Sequence, residues 1–438
     1  MNRLSKLVNR LKGSEIIRLN ATIRQLLQQG RKVYNYTIGD FDPKIFPIPA
    51  RLKREIIQAY EEDNTNYPPA EGVLALREAV SAYVRKTQGL QYTTDEVLIA
   101  SGGRPLIYTV FQTIVDPGDK VIYPVPSWNN NHYCNISGAV PCEVVTLPEE
   151  DFMPSPECLA QYIKDAVLLC LCTPQNPTGT ILKQSALEEI INLVVEENRR
   201  RKPEEKKLYV MFDQMYGSLV YGDQQHVNPV TLCPEMKEYT IFIDGISKAF
   251  AATGVRVGWA LGPPLLISKM KLLLGHIGGW SPLPEQMATA SFLDDDAAVA
   301  EFMTGYRNAL EEPLGMLYKG FLELKERGYP VDVIKPVAAI YLTIKLDLVG
   351  YSTSKGVLRS QSDVTEYILN TANLGLVPFQ AFGAGAESPW YRLSVGTCVK
   401  GEIPQMLAQL EVALQGCGCS DAIPRSVTQV EALGAQLE

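Results

Sequence analysis

Lys248 stands in the run Ile246-Ser247-Lys248-Ala249-Phe250-Ala251-Ala252. An apolar setting disfavours the ammonium form of a lysine. It lowers the pKa and leaves a neutral amine that can attack a carbonyl or accept a proton. Asp213 closes another apolar run, Leu208-Tyr209-Val210-Met211-Phe212, and Tyr216 follows it. A carboxylate in such a place is costly unless it meets a partner. Upstream, Ser101-Gly102-Gly103-Arg104-Pro105 precedes a helical pattern. Glycines let backbone approach a ligand closely, and proline suits a first helical turn. The free N–H groups of that turn and the dipole of the helix then favour an anion such as phosphate. Trp128 offers a flat ring for stacking. Asn176 lies in the polar turn Gln175-Asn176-Pro177-Thr178-Gly179, and Arg256 opens a further apolar run. Each feature also has an ordinary reading: a surface lysine, a glycine turn, a core tryptophan. Their common position at the ends of apolar runs argues against chance.

Those runs are VLIA (97–100), KVIYPVP (120–126), AVLLCLCTP (166–174), LYVMFD (208–213), YTIFID (239–244) and VRVGWALGP (255–263). They are continuous rather than alternating, as strands buried on both faces should be. Amphipathic stretches such as 185–202 separate them, and this βαβ rhythm predicts a mostly parallel sheet covered by helices. Ligands of such sheets bind at the carboxyl ends of the strands. The glycine spacing of a dinucleotide site is absent. The charge run 199–207 reads as a solvated helix end and turn. A helical pattern from about 296 passes through Pro313, which should bend it or start a new helix. Residues 330–415 mix strand-like and helical stretches and read as a smaller α+β domain. The expected division is an N-terminal segment (1–50) belonging to the small domain, a large domain (51–295), an interdomain helix (296–330), and a small C-terminal domain with tail (331–438). Leu4, Leu7, Val8 and Leu11 fall on one helical face, which predicts a short helix docked on the body.

Taken in order, IGDFDP (38–43), NYPPAEGVLALREAV (66–80), SGGRPLI, PSW, NPTG, DQMY, SKAFAATGVRVGW and WYRLSVG (390–396) resemble the pyridoxal-phosphate aminotransferases of class I/II, fold type I. The resemblance spans about residues 30–415. It implies an α/β fold with a mostly parallel seven-stranded sheet in the large domain and a smaller α+β domain built from both chain ends. It implies pyridoxal 5′-phosphate on Lys248, with Asp213 pairing the ring nitrogen and Asn176 and Tyr216 bonding the ring oxygen. Trp128 would stack on the ring. Gly103, Arg104, Ser247, Arg256 and Tyr67 would hold the phosphate, with Tyr67 supplied by a second subunit of a homodimer. Arg392 would fork onto the substrate α-carboxylate, as guanidinium geometry favours, and Gly39 would face the substrate with its N–H. The implied reaction moves an amino group between an L-amino acid and a 2-oxo acid, with Lys248 as the general base.

The sequence departs from the family in places. Many relatives carry serine three residues before the lysine, where this chain has Gly245. Asn129, Asn130 and Asn131 have no counterpart that explains them. No arginine stands at 276–280, whereas Arg104 follows the double glycine, so an acidic substrate, aspartate or glutamate, is expected. The alternative is an aromatic or broad-specificity enzyme using Trp280 or Tyr123. A C–S β-lyase or another enzyme breaking a Cα bond would share the same core residues. A transcription regulator on this fold would need a DNA-binding domain ahead of about residue 35.

Composition narrows the classes. Lys+Arg 41 against Asp+Glu 49 gives a net charge of −8, which argues against a nucleic-acid partner. The longest apolar run, Ala166 to Cys172, is too short to cross a bilayer. Three dispersed histidines (His132, His226, His276) form no metal motif. Nine cysteines suggest free thiols in a reducing cytoplasm. Cys170 and Cys172 read as small core residues, and Cys417 and Cys419 as a free pair.

Overall fold

The computed structural model describes residues 4–11, 13 and 15–418. Cys419 and the expected polar tail from Ser420 lie outside the described residues. Seven strands form the large sheet: β1 (Val97–Ala100), β2 (Lys120–Val125), β3 (Val140–Val145), β4 (Ala166–Cys172), β5 (Tyr209–Asp213), β6 (Thr240–Gly245) and β7 (Gly258–Leu261). Their order is β1-β7-β6-β5-β4-β2-β3. All pairs are parallel except those of β7, which is antiparallel to both β1 and β6. The start of β7 therefore lies at the edge where the other strands end. Strand connections run one way from β4 through β6 and the other way from β2 to β3, which opens a crevice beyond the ends of β2 and β4.

The continuous runs are strands because both faces are covered. One face packs Leu98, Val121, Leu168, Met211 and Ile243 under the helices Gly103–Ile114 and Pro264–Ile277. The other packs Ile99, Leu169, Phe212 and Phe242 with Leu187, Ile190, Val194 and Val195 of the helix Gln184–Arg200. The edge strand β3 escaped the sequence reading. It is half solvated, with only Cys142 and Val144 buried, so it lacks a continuous apolar run.

Three expectations need correction. The charge run 199–207 is not wholly solvated: Arg201 is buried and donates to Glu197 Oε1 (2.8 Å) and to the carbonyls of Ala166 (2.7 Å) and Lys206 (2.7 Å). Of the two outcomes expected at Pro313, a bend or a new helix, the second does not occur: one helix runs Asp296–Glu326 through it. Losing that N–H costs roughly 3 kcal/mol. Burial of Leu310, Leu314, Leu317 and Phe321 around it offsets this at about 1.5–3 kcal/mol per side chain. The N-terminal helix Lys6–Arg10 forms, but Leu4, Leu7, Val8 and Leu11 stay exposed. An unanticipated helix, Glu15–Gln28, follows it and buries Ile23.

The C-terminal part holds an antiparallel sheet of Val377–Pro378, Trp390–Ser394, Tyr341–Leu346 and Val331–Val333, in that order. Tyr34–Asn35 pairs in parallel with Leu374–Gly375, so the N-terminal segment runs beside this sheet. Thr37, Gly39 and Asp40 are thereby carried toward the ends of the large sheet.

Close backbone approach fixes the region between β1, β6 and β7. Gly245 pairs with Gly258. A Cβ at Gly245 would lie 2.7 Å from Gly258 Cα, and one at Gly258 would lie 2.9 Å from Gly102 Cα. Gly258→Ala should therefore overpack the junction by about 1–3 kcal/mol and lower the calorimetric unfolding midpoint. Gly254→Ala, where a Cβ meets nothing within 4 Å, should leave it in place.

Candidate active site

A cavity of about 450 Å³ opens beyond the carboxyl ends of the sheet. Lys248, Asp213, Tyr216, Asn176, Trp128, Gly103, Arg104, Ser247, Arg256, Arg392 and Gly39 all line it, and Tyr67 does not. Tyr67 is 83% exposed and packs its ring edge-on to Trp280, with centroids 5.5 Å apart. Trp280 and Tyr123, the pair expected of an aromatic-specific enzyme, do not line the cavity either. Tyr123 is buried within the sheet and donates to Glu143 Oε1 (2.9 Å).

Lys248 follows β6 on a single helical turn, Ile246–Ala249. Desolvation lowers its pKa to about 8. Asp40 opposes this shift, and the guanidiniums of Arg392, Arg256 and Arg104 add to it. Its Nζ donates to the Gly39 carbonyl at 2.5 Å. Gly39 thus shows its carbonyl to the lysine, and a Cβ there would meet Tyr341 Oη at 2.8 Å. Asp213 ends β5. Burial raises its pKa to about 6, and one backbone donor, Met215 N–H (3.1 Å), opposes the shift. A carboxyl so placed would be relieved by a cation from the cavity.

The anion-binding end is built from backbone and guanidinium. Gly103 and Arg104 open the helix Gly103–Ile114 behind Gly102, whose φ is +88°. Arg256, itself at φ +66°, donates to the carbonyls of Thr253 and Ser101, each at 2.6 Å. Its Nη2 would collide with any side chain at Gly102. Ser247 borders the same end of the cavity. Gly245 cannot carry the serine of its relatives, since the backbone of β7 occupies that space. Arg104 makes no ion pair among the described residues, and its guanidinium stacks 5.2 Å from the Trp128 ring. Two of the three asparagines now have an account. Asn129 adopts the left-handed conformation (φ +57°) that starts the helix Asn130–Ser137, which asparagine tolerates better than most residues. Asn130 Nδ2 then donates to Ser127 Oγ (3.3 Å).

Arg392 is 1% exposed and meets no carboxylate among the described residues. Its Nη1 donates to Asn176 Oδ1 (2.9 Å) and its Nη2 to the Thr37 carbonyl (2.7 Å), while Nε has no partner. A guanidinium has five N–H donors, so three remain for a ligand carboxylate. Because Asn176 gives its oxygen to Arg392, its Nδ2 is left as a donor. Tyr216 lies 2.5 Å, oxygen to oxygen, from Tyr341. The sequence reading missed Asp40, Tyr341, Thr253 and Ile16, which also line the cavity. Asp40 stands inside the quoted IGDFDP motif and carried that signal. Ile16 and Tyr341 sit in apolar patterns that look like core.

This donor set fits a flat, phosphorylated ring that carries a carbonyl for Lys248 and a basic nitrogen for Asp213. The model of the family "Aminotransferase class I and II" matches residues 31–410. The chain belongs to this family. A probable aspartate/prephenate aminotransferase of Thermus aquaticus is 31% identical over 344 residues, 78% of this chain and 84% of that one. A bifunctional aspartate and glutamate/aspartate-prephenate aminotransferase of Petunia hybrida is 29% identical over 418 residues, 94% of this chain and 81% of its own. The solved aspartate aminotransferase of Thermus thermophilus with maleate superposes at a TM-score of 0.83, with 28% identity over 94% of this chain and all of that one. The large mixed sheet with its smaller companion is the aspartate aminotransferase fold, fold type I. Among the described residues no helix is long and apolar enough to cross a membrane, no cluster could hold a metal ion, and all eight cysteines are free.

The lowered pKa of Lys248 in this aminotransferase has a signature. Acylation of Lys248 in cofactor-free protein, followed by peptide mass spectrometry, should accelerate about tenfold per pH unit and level off near pH 8. Surface lysines should keep accelerating toward their ordinary range. A Lys248 profile that climbs with theirs would contradict the desolvation argument.

Proposed function

We propose that the protein binds pyridoxal 5′-phosphate and transfers the amino group of an acidic L-amino acid, aspartate or glutamate, to a 2-oxo acid. The observation that carries this is the meeting in one cavity of a lysine whose pKa is lowered to about 8, a carboxyl with a raised pKa, and a buried arginine without a carboxylate partner among the described residues. When bound, the cofactor supplies an electrophilic carbonyl and an electron-withdrawing ring. Lys248 would hold that carbonyl, and its Nζ, when free, would serve as the base for the substrate Cα proton. Asp213 would keep a proton on the ring nitrogen. Asn176 Nδ2 and Tyr216 would donate to the ring oxygen, and Trp128 would cover the ring face. Gly103, Arg104, Ser247 and Arg256 would hold the phosphate. Arg392 would take the substrate α-carboxylate in a fork. Gly39 would border the substrate.

Arg104 adds a second role. Its guanidinium, without an ion pair among the described residues, lies on Trp128 within the cavity and would meet a side-chain carboxylate. The relatives named above act on aspartate and, by name, prephenate, which are both dicarboxylic. Tyr123 is buried in the large sheet, bonded to Glu143, and so lends no support to an aromatic-specific site.

A homodimer completes the reading. Tyr67 shares a shallow surface cavity with Tyr60, Trp280 and Pro282, and Ile57, Tyr60 and Met287 nearby are exposed. A second copy covering this face would receive Tyr67 at its phosphate end. A cytoplasmic setting accords with the free thiols.

Three measurements test this. The purified holoenzyme should be yellow, and L-aspartate or L-glutamate alone should bleach its visible band. 2-Oxoglutarate should then yield stoichiometric glutamate, whereas release of pyruvate and ammonia would point to a lyase. Arg104→Ala should lower kcat/KM for aspartate by about 10²-fold and for alanine by less than about threefold. An equal loss for both substrates would remove the acidic-substrate reading. Sedimentation should show a dimer, and Tyr67→Phe should weaken cofactor retention.

A further inference from the structure

Tyr341 opens the strand Tyr341–Leu346 and is 1% exposed. Its hydroxyl touches Tyr216 at 2.5 Å, and its ring lies 4.6 Å from the Arg392 guanidinium carbon. Among the described residues neither hydroxyl has another hydrogen-bond partner. A phenol has one proton to give. If Tyr216 donated to Tyr341, Tyr216 would present only lone pairs to the cavity, and the proton of Tyr341 would have no acceptor in the protein. The reverse arrangement leaves the Tyr216 proton free for an acceptor in the cavity, which both tyrosines line. The guanidinium stacked on Tyr341 favours this polarity, because a nearby cation makes a phenol a stronger donor. Burial keeps both rings neutral.

We propose that Tyr341 is a positioning residue: it donates to Tyr216, fixes the Tyr216 hydroxyl as a donor toward the cofactor's ring oxygen, and so sets the charge state of the lysine–cofactor linkage. This rests on the function proposed above. The hydroxyl of Tyr341, rather than its packing, carries the effect. Bonding to the ionised ring oxygen stabilises it and keeps the linkage pKa low.

The test is a pH titration of the visible absorbance of the holoenzyme, wild type against Tyr341→Phe, Tyr216→Phe and the double variant. Tyr341→Phe should raise the spectroscopic pKa by about one unit. The double variant should match Tyr216→Phe within about 0.3 unit, since Tyr341 acts only through Tyr216. Thr343→Val, which cuts the buried bond from Thr343 Oγ1 to the Thr178 carbonyl (2.9 Å) on the same strand, should leave the titration at its wild-type midpoint. An unshifted Tyr341→Phe, an additive double variant, or an equal shift in Thr343→Val would each overturn the proposal while leaving the cofactor assignment standing. A wild-type holoprotein with no visible band would overturn both.

Discussion

The site depends on charged groups that the protein does not pair with one another, the most deeply buried of them Arg392. Four basic side chains, Lys248, Arg104, Arg256 and Arg392, share a cavity of about 450 Å³ with Asp213 and Asp40. Arg392 is fully buried and meets no carboxylate among the described residues, and removing such a group from water without pairing it is unfavourable. Arg104 also lacks an ion pair among the described residues, but it is exposed. The pKa values show the effect: Lys248 is driven down to about 8 and Asp213 up to about 6. A ligand carrying a phosphate, a carboxylate and a protonatable ring nitrogen would relieve each of these in turn. Binding and folding stability are linked for that reason.

The rest of the chain exists to hold that arrangement. The two dry faces of the large sheet fix the strand ends that present Asp213, Lys248 and Asn176. Arg392 comes from the smaller sheet and reaches Asn176 on the large one and the Thr37 carbonyl of the N-terminal segment. One guanidinium therefore joins three parts of the chain at the place where a substrate carboxylate would sit. The N-terminal segment is tied down by pairing of Tyr34–Asn35 with Leu374–Gly375. That pairing also brings the Gly39 carbonyl to Lys248.

What was legible in the sequence follows from this division of labour. Strands buried on both faces announce themselves as continuous apolar runs, so β1, β2 and β4 to β7 could be read to within a few residues. The half-solvated β3 could not. Polar residues at the ends of those runs were legible because they break the apolar pattern. Tyr341 was not, since its apolar surroundings hide a functional hydroxyl behind a core-like pattern. Arg201 misled in the opposite sense. It sits in a run of charges, yet the carbonyls of Ile163 at the end of a helix, Ala166 at the start of a strand and Lys206 in a loop draw it inside.

At position 245 the family resemblance leads one to expect serine, whose hydroxyl would face a phosphate. Here β6, β7 and the loop after β1 pack so closely that Gly245, Gly258 and Gly102 touch backbone to backbone. The same closeness sets Arg256 against Gly102, where the Thr253 and Ser101 carbonyls fix its guanidinium from two sides. A planar group held in this way loses little freedom when it meets a phosphate. The chain thus gives up a mobile hydroxyl for a pre-oriented cation. The glycines that exclude the serine also bring the cation into place.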